Sequence, residues 1–286
     1  MKPCHFSIII PAYNEEAHIA SVITRLKNVV DALNRPYEII VVNDGSTDKT
    51  SEKARDSAVI VIDHEENKGY GGSLKSGILA AKGEWIILTD ADGTYDISSI
   101  PRMISLTGKA DLVVGNRIFS SSKTDRIKTL ARNFFAYHTS YYAGQKIEDL
   151  NSGQRIFRRE DIVKILDLFP DGFSFTSTMT VQYLLRKKTI IYTPVEYRHR
   201  AGSKFALKKN VFPIAKLAFK LTFLARPFKL SAQIFFTFAA AWLATGNMVH
   251  ALNAPAAAGL LCFLFCVPFL FFLLLCYIYI MGKRTV

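Results

Sequence analysis

Cysteine is scarce in this sequence: four residues in 286, none in a Cys-x-x-Cys or zinc-type spacing. That argues against a disulfide scaffold or a thiolate metal centre. Cys4 stands near the start, and Cys262, Cys266 and Cys276 lie in an apolar stretch, where they read as small apolar residues in a reducing cytoplasm. A signal-peptide pattern is missing too, since Phe6–Ile10 is a short apolar run that leads into polar residues. Acidic residues stop at Glu196, and eleven Lys and Arg follow with no Asp or Glu among them. The net charge of +12 therefore belongs almost wholly to the tail. A nucleic-acid partner would want that charge on a soluble domain. Here it adjoins apolar segments, which points to a membrane surface instead. Two nucleotide motifs are absent as well. No Gly-x-Gly-x-x-Gly follows the first apolar run and no Gly-Lys-Ser/Thr loop occurs, which weighs against dinucleotide-binding and P-loop readings.

Half of the residues are hydrophobic and the mean hydropathy is +0.17, enough for one sizeable domain with an apolar appendage. Phe6–Ile10 reads as a first strand. Ile19, Val22, Ile23, Leu26, Val29, Val30 and Leu33 then recur at helical spacing. Glu38–Val42 is a second strand closed by Asn43-Asp-Gly-Ser-Thr-Asp48, a turn and helix-cap cluster. Val59–Ile62 is a third. Asn67-Lys-Gly-Tyr-Gly-Gly-Ser73 is a glycine-rich entry to a helix reaching about Lys82. Trp85–Thr89 and Asp111–Val114 complete the run of strands. Alternation of this kind indicates a parallel sheet with helices on both faces.

One strand end organises the rest. Ile86-Ile-Leu88 is an apolar run that stops at Asp90-Ala91-Asp92-Gly93. In open α/β sheets ligands bind outside the carboxyl ends of strands. Two carboxylates held this close repel each other unless a cation intervenes, and Mg²⁺ or Mn²⁺ commonly bridges carboxylates to substrate phosphates; the alternative for the pair alone is a helix N-cap or a solvated turn. Tyr13, Glu15 and Asp44 fall at neighbouring strand ends. The glycine-rich segment either brings backbone N–H groups to a diphosphate or permits close helix–sheet packing.

Four motifs in order carry a resemblance: Pro11-Ala-Tyr-Asn-Glu15, Val42-Asn-Asp-Gly-Ser-Thr-Asp48, Asn67-Lys-Gly-Tyr-Gly-Gly-Ser-Leu-Lys-Ser-Gly77 and Asp90-Ala-Asp-Gly-Thr-Tyr95. Over about residues 6–205 the chain resembles glycosyltransferase family 2, and within it the polyprenyl-phosphate (dolichyl-phosphate-type) sugar transferases. The resemblance implies a GT-A domain with a mixed, mostly parallel sheet, a nucleotide diphosphate sugar as donor, and inversion at the anomeric carbon. It places Pro11, Tyr13, Glu15, Val42 and Asp44 around base and ribose, Asp90 and Ala91 against the nucleotide as well, and Asp90 and Asp92 on the metal. Arg117 would lie beside the reacting phosphates, helped by Arg132 and Lys204, and Arg198 or Arg200 would take a phosphate contact. Two departures stand out. Thr94 occupies a position where relatives often carry Gln, and Arg198-His-Arg-Ala-Gly-Ser-Lys204 is one residue short of the Arg…Gly-x-Ser-Lys element.

Acceptor chemistry divides the readings. A sugar hydroxyl must lose a proton, and Asp149 would be the base in a saccharide-extending enzyme. A lipid phosphate is already anionic and needs cations to position it, for which Arg117, Arg132, Arg155 and Lys204 are candidates. The tail favours the second. Residues 205–230 mix Lys and Arg with Phe, Leu and Ile, as helices in the headgroup plane do. Residues 231–286 hold two uncharged apolar segments separated by Asn253-Ala-Pro255, with Lys283-Arg284 after the second. They read as a transmembrane hairpin with both termini cytoplasmic. The expected organisation is a GT-A domain over 1–204, basic juxtamembrane helices over 205–230 and two membrane helices over 231–286. A third reading is a non-catalytic membrane protein that binds a nucleotide sugar. A nucleic-acid partner is not expected, and a homo-oligomer is compatible with the sequence.

Overall fold

The computed structural model describes residues 5–119, 137, 140, 146–172, 174–198 and 271. Among them seven strands form one sheet: β1 (Phe6–Ala12), β2 (Tyr37–Asn43), β3 (Ile60–Asp63), β4 (Trp85–Leu88), β5 (Leu112–Phe119), β6 (Arg155–Arg158) and β7 (Ile190–Tyr197). Their order is β3-β2-β1-β4-β6-β5-β7. Every neighbouring pair is parallel except the two that β6 makes, antiparallel to β4 and to β5.

Six helices are described: α1 (Ile19–Asp31), α2 (Thr50–Asp56), α3 (Tyr70–Ala80), α4 (Ile100–Ile104), α5 (Arg159–Val163) and α6 (Phe175–Leu185). The apolar strand runs do not alternate with polar residues because both faces of the sheet are covered. Ile8, Ile10, Val41, Ile87 and Val113 meet the apolar stripe of α1, together with Ala54 of α2 and Ile100 and Met103 of α4. Ile9, Ile40, Val42, Leu88 and Val114 meet Leu74 and Ile78 of α3, Ile162 of α5, and Phe175, Met179 and Tyr183 of α6. The helix α3 lies very close to the sheet at Gly77, where a Cβ would stand 2.5 Å from the Ile9 side chain.

The expected sheet is therefore present, with shifts at the edges. The third strand begins at Ile60, the fifth runs on to Phe119, and α3 stops at Ala80. The sequence pattern does not reveal β6, β7 or α6. The four residues of β6 include two arginines. β7 carries Pro194 and Glu196, which only an edge strand tolerates well. α6 is buried on nearly all sides and so shows no amphipathic stripe. Among the described residues no helix is long and apolar enough to cross a membrane. The expected juxtamembrane and hairpin segments at 205–286, Phe271 apart, lie outside the described residues.

Candidate active site

All strands but β6 point the same way, so six carboxyl ends line one edge of the sheet. Because β6 is reversed, its amino end lies on that edge too, and it brings residues 146–154 in among the strand-end loops.

The loops after β1 and β2 are fastened to each other. Asn14, at φ 55°, accepts from the Thr47 N–H at 2.9 Å and donates its own N–H to Ser46 Oγ at 2.9 Å. The N–H groups of Glu15 and Glu16 donate to Thr50 Oγ1 and Asp48 Oδ2, and Lys49 N–H donates to Glu16 Oε2. The Ser-Thr-Asp portion of the second motif thus serves the first. It holds Glu15 half-buried and leaves the Tyr13 ring 49% exposed at the edge. Pro11 and Val42 are buried neighbours in the β1–β2 ladder. Val42 is a core residue under α3, with no side-chain surface for a ligand.

Asp44 faces inward. Its carboxylate accepts from the N–H groups of Lys68 and Gly69, both at 2.9 Å, and pairs with His64 Nδ1 at 2.7 Å. It shapes the turn that enters α3. The glycines of that turn answer the open question about them. A Cβ on Gly71 would stand 2.2 Å from the Pro170 carbonyl oxygen, and one on Gly69 (φ +86°) 2.7 Å from that of Asp171. Gly72 N–H donates to the same Asp171 oxygen at 3.0 Å. The glycines admit the backbone of 170–171, a packing role.

The two carboxylates after β4 sit in unlike surroundings. Asp90 accepts from Tyr70 Oη at 3.1 Å, and a Cβ on Gly153 would stand 2.8 and 2.9 Å from its two oxygens. Burial, then the charge of Asp92, pushes the Asp90 carboxyl up to about 7 against the opposing pull of Tyr70 and Arg117. Asp92 is more open. Its Oδ1 accepts from both the N–H (3.0 Å) and the hydroxyl (2.7 Å) of Thr94. Thr94 therefore supports the Asp92 carboxylate through both its N–H and its hydroxyl proton. The Thr94 carbonyl in turn accepts from Arg198 N–H at 2.8 Å, and Tyr95 packs edge-on to Tyr197 at 5.0 Å, so the end of β7 closes on this loop. Ala91 is buried between the two acids. Among the described residues no group of three His, Cys, Asp or Glu converges into an all-protein cage. Two adjacent carboxylates, one of them reluctant to ionise beside the other, fit a hard divalent cation that takes its remaining ligands from phosphate and water.

Arg117, near the end of β5, makes a bidentate pair with Asp149: Nε to Oδ2 at 2.7 Å and Nη2 to Oδ1 at 2.9 Å. Its guanidinium lies over the Tyr197 ring, 5.4 Å from the centroid. Asp149 is fully buried and also accepts from the N–H groups of Arg117 and Asn151. Burial alone would raise its carboxyl; the Arg117 hydrogen bonds and charge outweigh that and hold it below the usual carboxylate range.

Arg155, a candidate cation for the acceptor, is no such thing. It is fully buried and spends its donors on Ser152 O, Leu150 O and Thr180 Oγ1. Arg198 is exposed beside the Asp92 loop. Arg132, Arg200 and Lys204 lie outside the described residues. Sequence reasoning passed over Tyr70, Tyr197 and Gly153 as site residues. Gly153 carried one usable signal, a lone glycine in the polar run 149–155.

Residues 7–166 match the model of the family described as Glycosyl transferase family 2. The low-salt glycan biosynthesis hexosyltransferase Agl6 of Haloferax volcanii is 30% identical over 202 residues, 68% of this chain and 48% of that protein, so the match spans about half of its length. The dolichyl-phosphate hexose transferase of the same organism is 30% identical over 198 residues, 68% of this chain and 84% of that one. Among solved structures, glucosyl-3-phosphoglycerate synthase from Mycobacterium tuberculosis, in complex with Mn²⁺, UDP and its product, shares the fold with a TM-score of 0.59. It is 21% identical over 75% of this chain and 80% of that chain.

Proposed function

The chain belongs to glycosyl transferase family 2, and on that premise we propose that this glycosyltransferase moves a hexose-type sugar from a nucleotide diphosphate sugar to a polyprenyl phosphate. The observation that carries the acceptor half is the bidentate Arg117–Asp149 pair. The carboxylate that a hydroxyl acceptor would need as its base is buried, with both oxygens turned onto a guanidinium. That guanidinium stands at the strand-end edge within electrostatic reach of Asp90. An arginine pinned in this way suits an anionic acceptor. The name of the Haloferax dolichyl-phosphate hexose transferase supports the same class of acceptor.

In this reading Asp90 and Asp92 hold the divalent cation, with Tyr70 and Thr94 orienting their carboxylates. When bound, the cation offsets the charge of the leaving nucleoside diphosphate. Tyr13, exposed at the edge, lies against the base. Arg117 holds the acceptor phosphate in line with the anomeric carbon, with Arg132 and Lys204 assisting and Arg198 or Arg200 on the donor phosphates. A phosphate oxygen forms the new bond to the anomeric carbon. The bond from that carbon to the donor's diphosphate oxygen breaks, and its electron pair leaves with the diphosphate. No proton needs to be removed from the nucleophile near neutral pH, so positioning supplies most of the acceleration. The basic apolar tail supports a membrane-anchored enzyme with its catalytic domain at the cytoplasmic face, where the acceptor's headgroup lies.

A donor screen tests this. The full chain, Mn²⁺, a short-chain polyprenyl phosphate and a panel of labelled nucleotide sugars should give label in an organic-extractable sugar-phospho-lipid with one donor. Label in water-soluble glycan instead would favour the saccharide-extending reading. Donor binding with no turnover on any acceptor would favour the non-catalytic one.

A further inference from the structure

Arg155 interrupts an otherwise apolar row. Register across six strands places Ile40, Ile9, Leu88, Arg155, Val114 and Tyr192 side by side on the sheet face covered by α3 and α6. Among the described residues no carboxylate lies within ion-pairing distance of its guanidinium, which instead meets two carbonyls and one hydroxyl at 2.7–2.8 Å. Taking a guanidinium out of water without a counter-charge is costly, and neutral acceptors repay it only in part. A leucine would fill the row at no such cost. What the charge holds explains its presence.

The two carbonyls belong to Leu150 and Ser152, on either side of Asn151, so the fork of the guanidinium fixes the curvature of residues 149–153. The third contact ties that curve to Thr180 of α6. One end of the curve is Asp149, which pins Arg117. The other is Gly153, which lies against the Asp90 carboxylate and donates its N–H to Tyr95 Oη at 2.6 Å. We propose that Arg155 is a positioning residue that sets Arg117 and Asp90 at once, registering the acceptor-phosphate side of the site against the metal side through a single buried fork. This rests on the roles given to Arg117 and Asp90 above.

The test uses the full chain carrying Arg155→Met, Arg155→Lys or Thr180→Val, each assayed for melting temperature, for Mn²⁺ affinity by titration of the metal alone, and for kinetics with a short-chain polyprenyl phosphate. At a temperature where all are folded, Arg155→Met should weaken Mn²⁺ binding about tenfold. It should also raise the acceptor KM and lower kcat about 10²-fold. Arg155→Lys should not rescue it, because a point charge cannot fork to two carbonyls. Thr180→Val, which spares both carbonyl contacts, should move the same parameters in the same direction by less, and it stands in if Arg155→Met fails to fold. Two further variants separate the arms: Gly153→Ala should act mainly on Mn²⁺ affinity, and Asp149→Asn mainly on the acceptor. A lowered melting temperature with wild-type Mn²⁺ affinity and acceptor KM would overturn the proposal. If the wild-type chain used no polyprenyl phosphate, the functional reading would fall, and unchanged Mn²⁺ affinity in the Arg155 and Thr180 variants would still overturn this one.

Discussion

Replacing Asp149 by Asn, alone and together with Arg117→Ala, separates a clamp from a base. The pair is bidentate, and Asp149 is fully buried while the Arg117 side chain is 17% exposed. Removing one partner of such a pair leaves a buried charge uncompensated, at about 3–5 kcal/mol. For a domain of about 200 residues that corresponds to a fall of roughly 10 °C or more in melting temperature. Arg117→Ala should show this loss, because it strands the Asp149 carboxylate. Adding Asp149→Asn should then restore part of the stability, since the stranded charge is gone. In activity, Arg117→Ala should lower kcat/KM about 10²–10³-fold, the scale of losing one charge-stabilising donor. Asp149→Asn alone should cost about tenfold by unpinning Arg117. In the Arg117→Ala background it should cost no more than about twofold further, within the error of additivity for a contact already lost. A general base behaves otherwise. Its removal would still cost about 10²–10⁴-fold in that background and would erase the acid limb of the pH–rate profile. Calorimetry on all four proteins, with steady-state kinetics against a short polyprenyl phosphate, decides it. A full multiplicative loss in the double variant would refute the clamp. The sign of the pH effect agrees: the Asp149 carboxyl is depressed in the folded protein. Its contribution to stability is therefore present above the unfolded carboxyl value, about 4, and is lost as the pH falls through the folded one.

Asp92→Asn should abolish turnover while leaving the melting temperature of the metal-free protein near wild type, at a cost of several kcal/mol in transition-state stabilisation; near-wild-type activity would end the metal assignment. Mn²⁺ affinity should rise about tenfold per pH unit and level off above about pH 7, because the cation must displace the proton that Asp90 holds up to about 7. Stability that metal-free protein draws from neutral Asp90 is full below about pH 4 and fades as the pH rises through about 7. A Mn²⁺ titration flat from pH 5.5 to 8 would contradict this. Gly71→Ala should destabilise the domain by at least about 1–3 kcal/mol and weaken metal binding, because a Cβ there meets the Pro170 carbonyl at 2.2 Å and displaces the neighbouring Tyr70 from Asp90. Unchanged Mn²⁺ affinity in a folded Gly71→Ala protein would separate the two.

The sequence determined the parts of this protein whose physics is local. Short apolar runs bounded by turn clusters mark β1, β2 and β4, because a strand covered on both faces has no polar side, and β-branched Ile60-Val-Ile62 marks the more exposed edge strand β3. The stripe from Ile19 to Val30 marks α1 through its 3.6-residue period. Asp90 and Asp92 were legible as a pair because a buried strand ends on them and three further motifs stand in order around them, where either acid alone would read as a cap or a solvated turn. Tertiary structure alone decided what depends on which segments meet. Asp44 and Val42 carry a motif's identity, yet one closes a turn and the other fills the core, since burial is a property of the packed sheet. The glycines of 69–72 look like a phosphate cradle in sequence and are in fact clearance for the backbone of 170–171, a hundred residues away. Above all, nothing local in Arg155-Ile-Phe-Arg158 announces a reversed strand between β4 and β5. That reversal carries residues 149–153 to the carboxyl edge, turns Asp149 onto Arg117 and sets Gly153 against Asp90. Arginine at 155 reads as a surface cation by composition. Only its place in the ladder, with apolar neighbours on both sides and two carbonyls within reach, makes it a buried fork.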